Sequence, residues 1–382
     1  MSILFQADVG ADPNRSQSCL IVCLSRAFGG ADVRVIQTAR WCEAHGHPYL
    51  VAALSGSQLH RDLEKEGMNV EPLRRKRGDP RLILDLARLA RGRAVVDLHN
   101  MQSQIWGALA AVFARVPNRV ATVHSVYRAT HPDLPRKQIH EGALRLCNWA
   151  GFRFIVVSTS VEAYLKDDIY IPARRVTLSR NGIDPLTETP VACNLRAEAG
   201  WPEDTFIIGA ITRLDVIKGH RFLFEALLQL SEENRARARL FIVGKGPDEA
   251  ALRAEVARHG LEHIIHFAGF RIDIPCILSG LDLMCQPSIS EGLPYSILEA
   301  CRQGVPVLSS DLPGIAAVLE HDRTAFFAPP ASVEAITRLL DLLIPDEPRR
   351  RRVADAARKL VETEFSVDTM IESTMRAYSG EA

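Results

Sequence analysis

"DLMCQPSISEGLPYSILEACRQGVPVLSSD" (282–311) contains a strand, a loop, a helix and a second strand in one short stretch. Its apolar runs at 282–288 and 305–311 flank an amphipathic segment at 293–303. Both runs are continuous rather than alternating, as expected of strands buried on both faces of a parallel sheet. Two parallel strands joined by a helix form the basic α/β unit, with a right-handed crossover. Pro294 suits the first turn of the helix, and Gly304 suits its stop. Glu291 then lies in the loop after the first strand, and Glu299 lies inside the helix. The helix start carries unpaired N–H groups and the positive end of the dipole, which together make a ready anion site. Taken alone, the same residues fit a plain helix entry with a solvated Glu299 equally well.

The two glutamates raise a second possibility, because paired carboxylates hydrolyse glycosidic bonds. A glycosidase, however, needs its carboxylates on opposite sides of the scissile bond. It has little use for an anion cradle between them, so the hydrolase reading is the weaker one.

The same alternation runs through the whole chain. Strands are expected at 19–25, 48–54, 94–99, 119–125 and 153–159, then at 206–212, 239–245, 264–270, 282–288 and 305–311. Helices are expected between them, among others at 31–45, 104–115, 219–231, 247–259 and 293–303. With 382 residues, the chain accommodates two doubly wound α/β domains. The turn-rich "NGIDPLTETPV" (181–191) separates them, giving domains 1–184 and 185–364. Ligands of such sheets bind beyond the carboxyl ends of the strands, so a cleft between the domains is the expected site.

Bulk composition excludes several classes. Apolar residues make up 47% and charged residues 24%, a globular balance. Net charge is zero, which gives no support for a nucleic-acid binder. Residues 1–190 nonetheless carry 25 Lys+Arg against 18 Asp+Glu, leaving the remainder acidic by the same margin. The eight cysteines are scattered, with no CxxC pair and no Cys/His metal spacing, which fits buried reduced thiols in a cytosolic protein. Asp8, Asp12 and Arg15 interrupt any signal-peptide core, and no run approaches the roughly 18 apolar residues of a membrane span. A cytoplasmic protein is expected, with any membrane contact peripheral.

Other strand ends carry further candidates. "GAITRLDVIKGH" (209–220) places Arg213 and Lys218 in a loop that opens a helix, a basic pair able to clamp a diphosphate. "VGKGPDEAALRAEV" (243–256) puts Gly244 and Gly246 after a strand, but lacks a full phosphate-loop fingerprint and fits a tight turn. In "FAGFRID" (267–273), amides around Phe270 and Arg271 could hold a nucleobase edge. "SRAFGGADVRV" (25–35) places Gly29 and Gly30 at a helix start, where a backbone can approach a ligand closely or simply turn. His99 and His124 end two strands, in "DLHN" and "ATVHS". The basic "LRRKRGDPRLILDLARLARGR" (73–93) could meet anionic headgroups, although a surface helix with Leu82, Leu86 and Leu89 inward explains it as well.

Taken in order, "FGGADVRVIQTARWCEAHGH", "TVHS", "NGID", "ITRLDVIKGH", "VGKGP", "HFAGF" and "PSISEGLPYSILEACRQGVPV" resemble the retaining glycosyltransferases of family 4. The resemblance runs from about residue 19 to 378. It implies the GT-B fold of two Rossmann-like domains, a UDP- or GDP-sugar donor, a hydroxyl-bearing acceptor that can be lipid-linked, and no catalytic metal or other cofactor. "FSVDTMIESTMRAY" (365–378) resembles the helix that returns to the first domain, so 365–382 is assigned there. By position, Arg213 and Lys218 would bind the donor diphosphate, Glu299 the ribose hydroxyls and Glu291 the donor sugar. Gly292 and Leu293 would surround sugar and phosphate, with Gly29 and Gly30 under the phosphate. His124 would touch the donor sugar, and His99 would lie near the acceptor. Residues 1–17 match nothing in the family. Ser296, where many relatives have Asn, puts no role in doubt. Front-face displacement with retention, in cell-envelope glycan or glycoconjugate synthesis, is the implied reaction. A sugar-nucleotide epimerase of the same fold and a non-catalytic scaffold are the alternatives.

Overall fold

The computed structural model describes residues 18–26, 28–126, 134–186 and 191–380, so residues 1–17 lie outside the described residues. Two compact units divide the chain, and each has its own parallel sheet. Asn181–Ser366 forms the second; the described residues before Asn181 and from Val367 onward form the first.

In the first unit the strands are β1 (Cys19–Cys23), β2 (Tyr49–Leu54), β3 (Val70–Leu73), β4 (Val95–His99), β5 (Asn118–Val123), β6 (Arg153–Val156) and β7 (Val176–Leu178). Their order is β3-β2-β1-β4-β5-β6-β7, with every neighbouring pair parallel. The second unit has β8 (Phe206–Ile211), β9 (Ala238–Val243), β10 (Ile265–Gly269), β11 (Leu283–Gln286), β12 (Val307–Ser310) and β13 (Phe326–Ala328). Their order is β10-β9-β8-β11-β12-β13, again all parallel. Both orders reverse direction beside the first strand of the unit, β1 or β8. In doubly wound sheets that reversal opens a crevice at the strands' carboxyl ends.

The continuous apolar runs now have a physical explanation. Strand side chains alternate between faces, and both faces of each sheet carry a core. In the first sheet Leu20, Val22, Leu98 and Phe154 pack on one face, while Ile21, Cys23, Val51 and Ile155 pack on the other. In the second, Ile208, Leu240 and Cys285 share one core, and Ile207, Phe241 and Met284 share the opposite one. The helix Val367–Ser379 packs against β5 and β6 of the first unit, with Ala377 and Tyr378 in its core. Arg34, fully buried, fastens that helix by donating to Thr374 Oγ1 (2.9 Å) and to Ser179 Oγ (2.6 Å).

One expectation is corrected. Six cysteines are buried free thiols, but Cys193 and Cys276 form a disulfide across 83 residues of chain. Cys193 precedes the short helix Leu195–Ala199, and Cys276 lies in the helix Ile274–Ser279. The Cys193 amide donates to the Cys276 carbonyl (3.0 Å), which brings the Cα atoms to 5.1 Å, within normal disulfide reach. Only the fold makes these residues neighbours; no local spacing pattern announces the pair.

Candidate active site

In the second unit the loops after β8 and β11 bring two expected residues, Lys218 and Glu291, into one network. Gly219, in the left-handed region at φ 71°, turns the chain after β8 into the helix His220–Gln229. A Cβ there would lie 2.0 Å from the Pro287 carbonyl, so only glycine lets this loop press against the loop after β11. That approach puts Lys218 Nζ 2.5 Å from Glu291 Oε1, with both side chains largely buried. The same oxygen accepts from Gln286 Nε2 (2.9 Å) and from Ser288 Oγ (3.1 Å). Ser296 Oγ donates to the Gln286 side-chain oxygen Oε1 (3.0 Å), which turns Gln286 Nε2 toward Glu291. Gln286 and Ser288 were not read from the sequence, because they sit in an apolar run that looked purely structural.

Arg213 is half-exposed and reaches Asp215 at 3.3 Å. Burial pushes the Asp215 carboxyl up, against the lowering influence of Arg213 and Lys218. No side chain caps the helix Tyr295–Arg302 at Pro294, which is its cap rather than part of its first turn. Gly292 and Leu293 are buried just before it, and the Leu293 carbonyl accepts from Asn181 Nδ2 (3.2 Å). Burial raises the Glu299 carboxyl, while Arg302 lowers it. Two residues after Lys218, His220 is buried and neither ring nitrogen has a hydrogen-bond partner among the described residues. Burial, then the charge of Lys218, pushes its pKa down to about 4.

Two sequence candidates take a different form. Gly244, at φ 141°, has its Cβ direction 1.9 Å from the Thr212 carbonyl, so its immediate role is to let the β9 loop support the Arg213 loop. The Arg271 guanidinium donates to Asp273 (2.8 and 2.5 Å) and to Glu198 (2.7 Å), which commits the side chain within the protein. Phe270 beside it is 44% exposed.

In the first unit Gly29 and Gly30 begin the helix Gly30–Ala44, and the Gly29 amide donates to Asp32 Oδ2 (2.9 Å). Burial pushes the Asp32 carboxyl up to about 6. His99 and His124 stand at the ends of adjacent strands, 3.0 Å apart from Nδ1 to Nε2. His99 is buried, and its other nitrogen lies 3.1 Å from Asp97 Oδ2. Both ring nitrogens of His99 are therefore engaged within the protein. Asp97 also receives Thr122 Oγ1 (2.9 Å) and Tyr378 OH (2.8 Å). Burial alone would raise its carboxyl; His99 and the hydrogen bonds from His99, Tyr378 and Thr122 outweigh that and hold it at about 2. The two-residue step from Asp97 to His99 was the available signal, since it places both on one face of β4.

Comparison with known proteins assigns the family. Residues 28–185 match the model described as Glycosyltransferase Family 4, and residues 193–360 match Glycosyl transferases group 1. The chain belongs to this family of GT-B glycosyltransferases. It is 30% identical over 203 residues to the amylovoran biosynthesis glycosyltransferase AmsK of Erwinia amylovora, covering 51% of this chain and 48% of that one. The chain thus spans about half the length of that relative. It is 26% identical to the 2-deoxystreptamine glucosyltransferase of Streptomyces kanamyceticus, over 72% of this chain and 74% of the other. In fold it is similar to Anabaena HepE, solved with UDP and glucose, at TM-score 0.84 and 22% identity over 94% and 99% of the two chains. Among the described residues no helix is long and apolar enough to cross a membrane.

Proposed function

We propose that this protein transfers a sugar from a nucleotide-diphosphate sugar, with a UDP-sugar as the first candidate, to an acceptor hydroxyl with retention of anomeric configuration. The observation that carries this reading is the Lys218–Glu291 pair at the ends of β8 and β11, with Arg213 and an uncapped helix start on the neighbouring loops. Lys218, Arg213 and the helix dipole would stabilise the departing diphosphate, where negative charge develops. Glu291 Oε2 and Glu299 would accept hydroxyls of the sugar and ribose, and backbone around Phe270 would border the base. His124 would receive a hydroxyl in the first unit. The protein then mainly orients the reactants, and the phosphate oxygen takes the acceptor's proton.

Two cations and a helix end supply the charge that a metal would otherwise supply, so transfer is expected to continue in EDTA. A saccharide or glycoconjugate acceptor, which can be lipid-linked, follows the relative named for amylovoran biosynthesis. We place the protein in the cytoplasm, with peripheral contact to anionic membrane through the helix Leu82–Ala90 and the basic residues before it. Leu84 on that helix is 68% exposed, with Arg74, Lys76 and Arg88 exposed around it.

Calorimetric titration with UDP and GDP tests the donor reading. Saturable binding should weaken at least about tenfold in Lys218→Ala and in Arg213→Ala, the loss of a charge-assisted contact. Unchanged affinity in both variants would sink it. The anomeric configuration of the product, read by NMR, tests retention, and an inverted linkage would overturn that part.

A further inference from the structure

Asp97, His99 and His124 form one hydrogen-bonded chain inside the first unit. We propose that Asp97, acting through His99, holds His124 in the Nε2–H tautomer and so presents the His124 Nδ1 lone pair to a ligand hydroxyl. The inference rests on the reading of His124 as a hydroxyl-binding residue.

The argument is one of hydrogen bookkeeping along the chain. An ionised carboxylate only accepts. Asp97 lies against three donors: His99 Nε2, Thr122 Oγ1 and Tyr378 OH. His99 Nε2 therefore carries a hydrogen. A neutral imidazole has only one, so His99 Nδ1 is an acceptor. At 3.0 Å from it, His124 Nε2 must supply the hydrogen of that contact. His124 then has none left for Nδ1, which remains a bare acceptor. A hydroxyl donates to such a nitrogen; a carbonyl or phosphate oxygen gains nothing from it. If His99 were a cation, the pattern would reverse and His124 Nδ1 would become a donor.

The surroundings favour the neutral arrangement at His124. Burial pushes its pKa well below the usual histidine range, so the His124 ring stays neutral. Asp32 also faces His99 electrostatically from the helix Gly30–Ala44. Arg34 is turned toward Ser179 and Thr374. Tyr378 reaches Asp97 from the helix Val367–Ser379, so the end of the chain anchors the carboxylate at the head of the relay. Asp97 and His99 are positioning residues in this arrangement; only His124 meets the ligand.

Long-range proton–nitrogen correlation NMR on protein labelled with 15N-histidine tests the proposal without donor, acceptor or turnover. Failure of the glycosyl-transfer reading would therefore not disturb the result. His124 is assigned by the signals lost in His124→Gln. In the unaltered protein its Nδ1 should resonate as an unprotonated nitrogen and its Nε2 as a protonated one; the opposite pattern overturns the proposal. In Asp97→Asn the new amide donates to His99 Nε2, so His99 should present Nδ1–H and His124 should swap to the Nδ1–H form. A folded Asp97→Asn protein with no swap overturns it too. Tyr378→Phe keeps the carboxylate and should keep the tautomer, and a swap there would show that the phenol sets it instead. The measurement on the unaltered protein decides the matter even if neither variant folds.

Discussion

Lys218 Nζ donates to Glu291 Oε1, the oxygen that also receives Gln286 and Ser288, so in the free protein the expected diphosphate cation and sugar-binding carboxylate hold each other. On the proposed reading a donor divides this pair, drawing Lys218 toward phosphate. Glu291→Gln removes the competing charge and frees Lys218, so UDP should bind as tightly as before or more tightly. Lys218→Ala should weaken UDP at least about tenfold and leaves Glu291 without its cation. Transfer should fall in both, since on the proposed reading Glu291→Gln replaces a carboxylate oxygen facing the sugar hydroxyl by a weaker amide. The opposite signs in UDP calorimetry are the signature. Equal weakening of UDP by both variants would refute the division of roles.

What the sequence displayed plainly was repetition. Long apolar runs such as 206–211 and 238–243 are strands because two cores compete for their alternate side chains. β3, β7 and β13 escaped notice because three or four residues at or near a sheet edge need little apolar character, and Pro72 even sits in β3. At the site, Arg213, Lys218 and Glu291 were legible as loop residues after strands. Gln286 and Ser288 were not, because polar groups satisfied inside a core look like any strand residue. Cys193 and Cys276 meet only through the packing of two short helices, which no one-dimensional pattern records.

His220 makes the second unit acid-sensitive. Its folded pKa of about 4 lies below the ordinary histidine value of 6.5, so the unfolded chain binds the extra proton first. Its contribution to stability is therefore full above pH 6.5 and is lost as pH falls toward 4, by about 3 kcal/mol. Asp32 in the first unit acts in the opposite sense, because its raised carboxyl favours the folded state as pH falls through 6 toward 3.8. Whole-chain melting would blur the two. Hydrogen exchange in the helix His220–Gln229 separates them: protection should drop between pH 6.5 and 4, and His220→Leu should flatten the profile. An unchanged slope in that variant would rule His220 out as the cause.

The cysteines make a countable prediction. Burial pushes the thiols of Cys42, Cys285 and Cys301 up to about 12 and raises those of Cys19, Cys23 and Cys147 as well, so all six should be inert to a thiol reagent in the folded oxidised protein. Denaturing without reductant should release six thiols, and denaturing with reductant should release eight. A disulfide closing a loop of this length constrains the unfolded chain by about 4–5 kcal/mol at most, so reduction should lower the denaturation midpoint of the second unit. Eight thiols without reductant would mean the pair is open.

The basic surface of the first unit is only partly available to a membrane. Arg75 is paired with Asp85, and Arg81 is held by Asp79 at 2.8 Å, so neither counts as a full charge toward lipid. Arg74 and Lys76 are exposed, and Leu84 projects from the helix Leu82–Ala90. Each such cation contributes about 1 kcal/mol near an anionic surface, so replacing both by Gln should weaken partitioning by about 2 kcal/mol, roughly thirtyfold. Sedimentation with vesicles containing phosphatidylserine measures this, and raised salt should abolish most of the binding by screening. Arg81→Gln should do little by comparison, because Asp79 already neutralises that side chain. If the double variant sediments with anionic vesicles as the unaltered protein does, the surface is an ordinary solvated face. Membrane contact would then have to lie elsewhere or not occur.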